Sequence, residues 1–301
     1  MNYLATVFPK VGRRQLPVSR DQAMLLMAAF NEIMLGLDTL LAHVLNNTIQ
    51  PREWIPIIFG PTAGVLLLVA GLIALRNRKT AAWLATAVFL ASIIVGVLGA
   101  YFHFVRGILP SAPLGQRVTL ELLVWAPPFL APFAFAGIGV LGISAAWEEV
   151  PNDSGRLKLP FNLTVQMPYS KTRAYFFLVS LGTLVALVSS VLDHARHPWD
   201  NPWLWLPLVV GVFATAVSAG MGAISRELTP EDVTIYIAAM VMLIVVGVVG
   251  AYFHIQADLT SQSTIVPERF LRGAPFMSPL LFSNMGIVGL FALLSPEENG
   301  R

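Results

Sequence analysis

Eight long apolar stretches dominate this chain of 301 residues. A helix that crosses a membrane needs about 20 mostly apolar residues, and each stretch has roughly that length. Charged residues make up only 12% of the chain, whereas soluble domains average about 25%, so a soluble globular fold is excluded. We therefore predict an all-α integral membrane protein that contacts the lipid bilayer. The predicted transmembrane helices span residues 22–46, 54–75, 81–105, 122–146, 174–195, 203–225, 232–255 and 274–294.

Composition restricts the partners and cofactors further. The net charge is +2, which leaves no broad basic face, so nucleic acid is not an expected partner. The chain has no cysteine, which excludes disulfides, thiolate metal sites and covalent haem attachment through a C-x-x-C-H motif. Any bound metal must therefore be held by His, carboxylate or Met side chains.

The positive charges predict the orientation in the membrane. With eight helices, 13 of the 19 Lys and Arg residues fall on the side of the N-terminus, and cytoplasmic loops carry such an excess. We predict a multi-pass protein of the bacterial cytoplasmic (inner) membrane with both termini in the cytoplasm. The predicted segments are a cytoplasmic tail (1–21), a first four-helix repeat (22–146), a cytoplasmic linker (147–173), a second four-helix repeat (174–295) and a cytoplasmic tail (296–301).

The two halves resemble each other in sequence. Residues 96–103 read GVLGAYFH and residues 247–254 read GVVGAYFH, an offset of 151 residues. An offset of 147 residues places Pro128 on Pro275. This pattern predicts a tandem duplication of a four-helix bundle, and because each copy has an even number of helices, the repeats are expected to be parallel.

Four of the five histidines follow the same repeat. Each lies near the predicted periplasmic end of the first or third helix of a copy, and 60 residues separate the two members of each pair. Ionisable residues within membrane helices are functional candidates, and neutral imidazole is a common axial ligand of haem iron. The four candidate metal ligands are His43, His103, His194 and His254.

Small residues precede these histidines on the same helix face. Gly99 and Gly250 stand one turn before His103 and His254, because positions i and i+4 share a face. One interpretation is a bare strip where a flat macrocycle approaches the backbone, which makes both glycines candidate cofactor-binding residues. The alternative is a surface for close helix packing, the usual role of small residues in membrane helices.

The histidine pattern favours an electron-transfer subunit. The hypothesis is two b-type haems near the periplasmic face, one held by His43 with His103 and one by His194 with His254. The expected partners are a periplasmic redox protein, other membrane subunits or a quinone. Two alternatives stay open, namely a protein that binds copper or another metal through His, and a cofactor-free anchor or assembly subunit of a larger membrane complex. Whether the chain is an enzyme also stays open.

Two fused four-helix units with paired histidines resemble the haem A synthase family in architecture. The E-x-x-H-R signature of that family is absent from this sequence. The resemblance therefore implies no activity and assigns no residue role here.

An acidic residue lies near the centre of the first predicted helix. Glu32 has Thr183 as its counterpart in the second half, so this acid distinguishes the halves. A carboxylate at this depth must be neutral, paired or hydrated. We expect Glu32 either to lie on a proton path to a quinone or metal site, or to be a protonated acid that bonds a neighbouring helix. His197 has no counterpart and is expected to lie on the solvated surface.

Overall fold

The computed structural model describes residues 3–9, 18–44, 49–159, 163–259 and 266–295. It is mostly helical, and the prediction of an all-α chain is confirmed. The helices are α1 (Leu4–Val7), α2 (Arg20–Val44), α3 (Trp54–Ala74), α4 (Arg78–Arg106), α5 (Leu120–Trp125), α6 (Phe133–Ala146), α7 (Lys171–His194), α8 (Trp205–Ala223), α9 (Pro230–Leu259), α10 (Pro267–Arg272) and α11 (Leu280–Ala292).

Within the described residues, six helical segments are long and apolar enough to cross a membrane. These are α2, α3, α4, α7, α8 and α9, where α3 and α8 each include a preceding single 3₁₀ turn. Multi-pass membrane character is therefore supported by length and composition. The ends of two predicted segments, residues 45–46 and the tail 296–301, lie outside the described residues.

The long helices form two groups of four. Helices α2, α3, α4 and α6 pack in a ring in which each contacts two neighbours, and α7, α8, α9 and α11 do the same. In each ring the first and third helices are diagonal. Between the groups, α2 contacts α11 and α7 contacts α6. Helices α2 and α7 begin 151 residues apart, and α6 and α11 begin 147 residues apart.

The predicted fourth helix of each half is interrupted. The prediction of uninterrupted helices over 122–146 and 274–294 is wrong, because residues 126–132 and 274–279 are not helical. The first of these segments contains three prolines and the second contains two. Proline has no N–H to donate and its ring clashes with the preceding helical turn, so it ends a helix. Only the shorter α6 and α11 remain helical, with 14 and 13 residues.

The predicted linker forms a small antiparallel sheet. Its strands are β1 (Glu148–Glu149), β2 (Arg156–Lys158) and β3 (Thr164–Gln166), in the order β1-β2-β3. Glu149 is buried and its Oε1 accepts hydrogen bonds from the backbone N–H of Gly155 at 2.7 Å and of Lys171 at 2.9 Å. The sheet is thereby joined to the first turn of α7. We call this side of both groups the linker end, and the opposite side the histidine end.

A buried ionic cluster joins the two groups at the linker end. Arg20 begins α2 and Lys171 begins α7, and both side chains are 1% exposed. Asp21 lies between them, 2.6 Å from Lys171 Nζ and 3.3 Å from Arg20 Nε. The Tyr175 hydroxyl donates to Asp21 Oδ1 at 3.0 Å, and Arg20 Nη1 donates to Thr172 Oγ1 at 2.5 Å. One carboxylate thus neutralises two buried cations from different halves.

Candidate functional site

The imidazoles of the first half meet at the histidine end. His43 lies in the last turn of α2 and His103 in the last turn of α4. These helices are diagonal partners that run in the same direction, so their last turns reach the same level of the ring. The two imidazole centroids are 6.1 Å apart, with an angle of 57° between the ring planes. Both side chains are half-buried.

Hydrogen bonds determine which ring nitrogen is available in this pair. His43 Nδ1 lies 2.7 Å from the carbonyl oxygen of Thr39, and His103 Nδ1 lies 3.1 Å from that of Pro128. A carbonyl oxygen only accepts, so each Nδ1 carries the hydrogen and donates. In a neutral imidazole the lone pair is then on Nε2. Metal-binding histidines commonly have this arrangement, with the second nitrogen held by a carbonyl.

The spacing of the rings is compatible with two ligands on one metal. A metal–imidazole bond is about 2.0 Å long, so two such bonds plus the ring radii give centroids roughly 6 Å apart. The observed 6.1 Å is close to this value. Residues His43 and His103 can therefore bind opposite sides of one metal atom after small side-chain adjustments.

In the second half His254 repeats the arrangement of His103. His254 Nδ1 donates to the carbonyl oxygen of Pro275 at 3.0 Å, and Pro275 occupies the position 147 residues after Pro128. The Nε2 of His254 is therefore the nitrogen with the free lone pair. Both third-helix histidines are oriented by the same structural element.

His194 is less firmly oriented than its counterpart His43. Its Nδ1 lies 3.5 Å from Ser190 Oγ, at the limit of a hydrogen bond, and its ring packs edge-on against Trp199 at 6.3 Å. His194 is close enough to His254 for their charges to interact. The second pair is thus at one end of the bundle, although its first-helix ring has no backbone carbonyl as an anchor in the described contacts.

Two proline carbonyls orient the third-helix histidines, and our sequence analysis did not identify them. In a continuous helix the N–H of residue 132 would donate to the Pro128 carbonyl, but residue 132 is proline and has no N–H. The Pro128 oxygen retains a turn bond from Ala131 N–H and uses its other lone pair for His103. Pro279 and Pro275 are spaced in the same way. The available signal was the Pro-x-x-x-Pro spacing in both halves.

The glycines beside these histidines are helix-packing residues. A Cβ on Gly99 would lie 2.8 Å from Cβ of Pro132, and one on Gly250 would lie 2.9 Å from Cβ of Pro279. Real Cβ atoms essentially never approach other atoms so closely. The fourth-helix proline occupies the strip that the sequence suggested for a macrocycle, so the structure supports the packing interpretation for both glycines.

Replacing Gly99 with alanine tests this interpretation. Because the new methyl group would overlap the Pro132 ring, we expect Gly99→Ala to destabilise the protein by about 1–3 kcal/mol. The matched control is Gly137→Ala in α6, where nothing lies within 4 Å of the added Cβ. The control should be neutral or slightly stabilising, since alanine favours helix more than glycine. Unfolding in detergent measures both, and equal stability of the two variants would contradict the packing interpretation.

The charged surroundings of the two pairs differ. At the first pair, Glu53 is 7% exposed and its Oε1 lies 3.3 Å from Arg106 Nη1, and both charges act on His103. At the second pair, Asp193 lies 3.5 Å from Arg196 and both side chains are about one-third exposed. The first site therefore has a buried ion pair beside it, whereas the second has an ion pair open to solvent.

The remaining candidates are away from a metal-binding group. His197 is exposed, as expected for a surface residue. In the part of the chain that the structure describes, no three His, Asp or Glu side chains are grouped so that they could hold a metal ion together. A cavity of 740 Å³ near the linker end is lined by apolar residues such as Phe8, Leu26, Phe30 and Val241. These side chains suit a hydrocarbon chain and offer no hydrogen bond to a quinone head group.

Comparisons with protein-family models, with curated proteins and with solved structures find no match to this chain. Function must therefore be argued from the residues themselves.

Proposed function

We propose that this protein is a membrane-embedded electron-transfer subunit that binds one b-type haem in each half. The carrying observation is the imidazole pair of His43 and His103, whose Nδ1 atoms both donate to backbone carbonyls while the rings lie 6.1 Å apart. Two imidazoles match the two axial positions of haem iron, because the porphyrin supplies the other four ligands. His194 and His254 would hold the second haem.

The proposed topology has eight crossings, built by tandem duplication of a four-helix unit. The duplication is supported by constant offsets between corresponding elements and by the reciprocal contacts of α2 with α11 and of α7 with α6. Segments α5–α6 and α10–α11 would be the broken fourth crossings. The charge asymmetry places both termini in the cytoplasm and the histidine end at the periplasmic face of a bacterial inner membrane.

This topology defines the electron path. Both histidine pairs lie at one end of their bundles, so the two haems would exchange electrons laterally and not across the membrane. A periplasmic redox protein or another membrane subunit is the proposed partner at that face. The apolar cavity near the linker end would take the hydrocarbon tail of a lipid or quinone.

A His-bound copper or other metal ion is the second candidate. The packing of Gly99 and Gly250 against proline rings favours it, because a bare ion needs far less room between the helices than a porphyrin. Such an ion would bind the same Nε2 atoms and complete its coordination with water or with a partner protein.

Absorption spectroscopy and metal analysis of the purified full-length protein test these proposals. A Soret band, a pyridine haemochrome of haem b and iron at two atoms per chain would support the haem proposal. Stoichiometric copper without a Soret band would contradict it and favour the second candidate. Absence of any metal, together with stoichiometric copurification of other subunits, would contradict both and indicate an anchor or assembly subunit.

A further inference from the structure

Glu32 is a fully buried acid in the middle of the first four-helix group. It lies in the centre of α2 and has 0% exposure. Ser92, at the centre of the diagonal helix α4, is also 0% exposed and its hydroxyl contacts Glu32 Oε1. This contact crosses the interior of the ring. His43 and His103 follow Glu32 and Ser92 by eleven residues each, about three helical turns, and therefore share their helix faces.

The hydrogen bonds around Ser92 indicate where the proton lies. Ser92 Oγ is 3.0 Å from the carbonyl oxygen of Phe135 and also contacts Glu32 Oε1. A serine hydroxyl has a single hydrogen, whereas the Phe135 carbonyl can only accept. If Ser92 donates to Phe135, its oxygen must accept the hydrogen shared with Glu32. The carboxyl group of Glu32 then carries that hydrogen.

The charges around Glu32 agree with a neutral acid. The neighbouring helices α3 and α6 contain no ionisable side chain. Helix α4 carries its charged groups only at its ends: Arg78, Lys79, His103 and Arg106. On α2 itself the next acid is Asp38, six residues further on, and the ion pairs of Arg20 and Asp21 are at the linker end. No cation contacts Glu32 in the described residues, and an unpaired buried carboxylate would be very costly.

We infer that Glu32 is a reversible proton-binding site in the core of the first half. The carboxyl group holds the proton against Ser92, and on release it becomes a carboxylate while the proton passes to water. Its second oxygen, Oε2, is buried and has no hydrogen-bond partner among the described residues, so it offers an acceptor for an arriving proton donor. The second half has Thr183 at this position, so each chain has one such site. The inference does not depend on metal binding.

Infrared spectroscopy of the purified full-length protein tests the site directly. At neutral pH we expect a carbonyl-stretch band of a protonated carboxylic acid that shifts in heavy water and is absent from Glu32→Gln. Raising the pH should convert this band reversibly into carboxylate bands. Ser92→Ala should move the band without removing it, because the acid loses its hydrogen-bond partner but remains buried. Glu231→Gln, which changes an exposed acid at the start of α9, should leave the band unchanged.

Two results would overturn the inference. If wild type and Glu32→Gln show identical bands at neutral pH, Glu32 is ionised and holds no proton. If the band is present but neither exchanges in heavy water nor responds to pH in the folded protein, Glu32 is a structural acid. Circular dichroism monitors folding, and the band shift in Ser92→Ala provides a second test should Glu32→Gln fold poorly.

Discussion

Simultaneous replacement of His103 and His254 with alanine is expected to abolish the Soret band of the purified protein. Each substitution removes one axial nitrogen, and the remaining imidazole of each pair would hold haem from one side only. His103→Ala alone should remove the haem of the first half and reduce the band by about half. The absorbance ratio of haem to protein, measured at equal protein concentration, checks both results.

The matched control for this experiment is His197→Ala. His197 is exposed and lies in the connection after α7, outside both histidine pairs, so its removal should leave the Soret band unchanged. Circular dichroism should show the same helical content in all variants, because each ring lies at the end of its helix and is only half-buried. An undiminished band in the double variant would refute ligation by these residues.

Apolar segment length was sufficient to locate the six long helices but not the fourth helix of each half. In α2, α4 and α9 the helical period and the apolar run coincide, so the structure begins and ends within a few residues of the prediction. Residues 122–146 are equally apolar, yet the backbone between α5 and α6 is not helical. Missing proline N–H groups outweigh hydropathy there. The structure uses this interruption, since a released carbonyl binds His103.

The sequence located the candidate ligands better than their surroundings. A constant offset identified the histidine pairs, but the orientation of His103 depends on the Pro128 carbonyl, which is distant in sequence. Likewise, helical periodicity placed Gly99 beside His103 without revealing what the glycine contacts. A macrocycle and the ring of Pro132 require the same absence of a side chain. Only the three-dimensional structure distinguishes them.

Asp21→Ala is expected to cause the largest loss of stability at the junction between the halves. Sequence analysis counted Arg20 and Lys171 as exposed positive charges of a tail and a linker, but both are buried around Asp21. Without this carboxylate two cations remain in a site closed to water, and such unpaired buried charges cost about 3–5 kcal/mol. Asp21→Asn keeps the shape and removes only the charge, so it should lose most of this stability too. Denaturant unfolding in detergent measures both variants.

An exposed ion pair provides the contrast for this prediction. Arg226 contacts Asp232 at 2.6 Å, but the Arg226 side chain is 55% exposed. Water and salt screen such a pair, so Arg226→Ala should cost far less than Asp21→Asn, and high salt should diminish its small effect further. The loss in Asp21→Asn should persist at high salt, because the screening ions cannot reach the buried cations. If both variants respond alike to salt, the junction is hydrated and Asp21 does not hold the two halves together through buried charge.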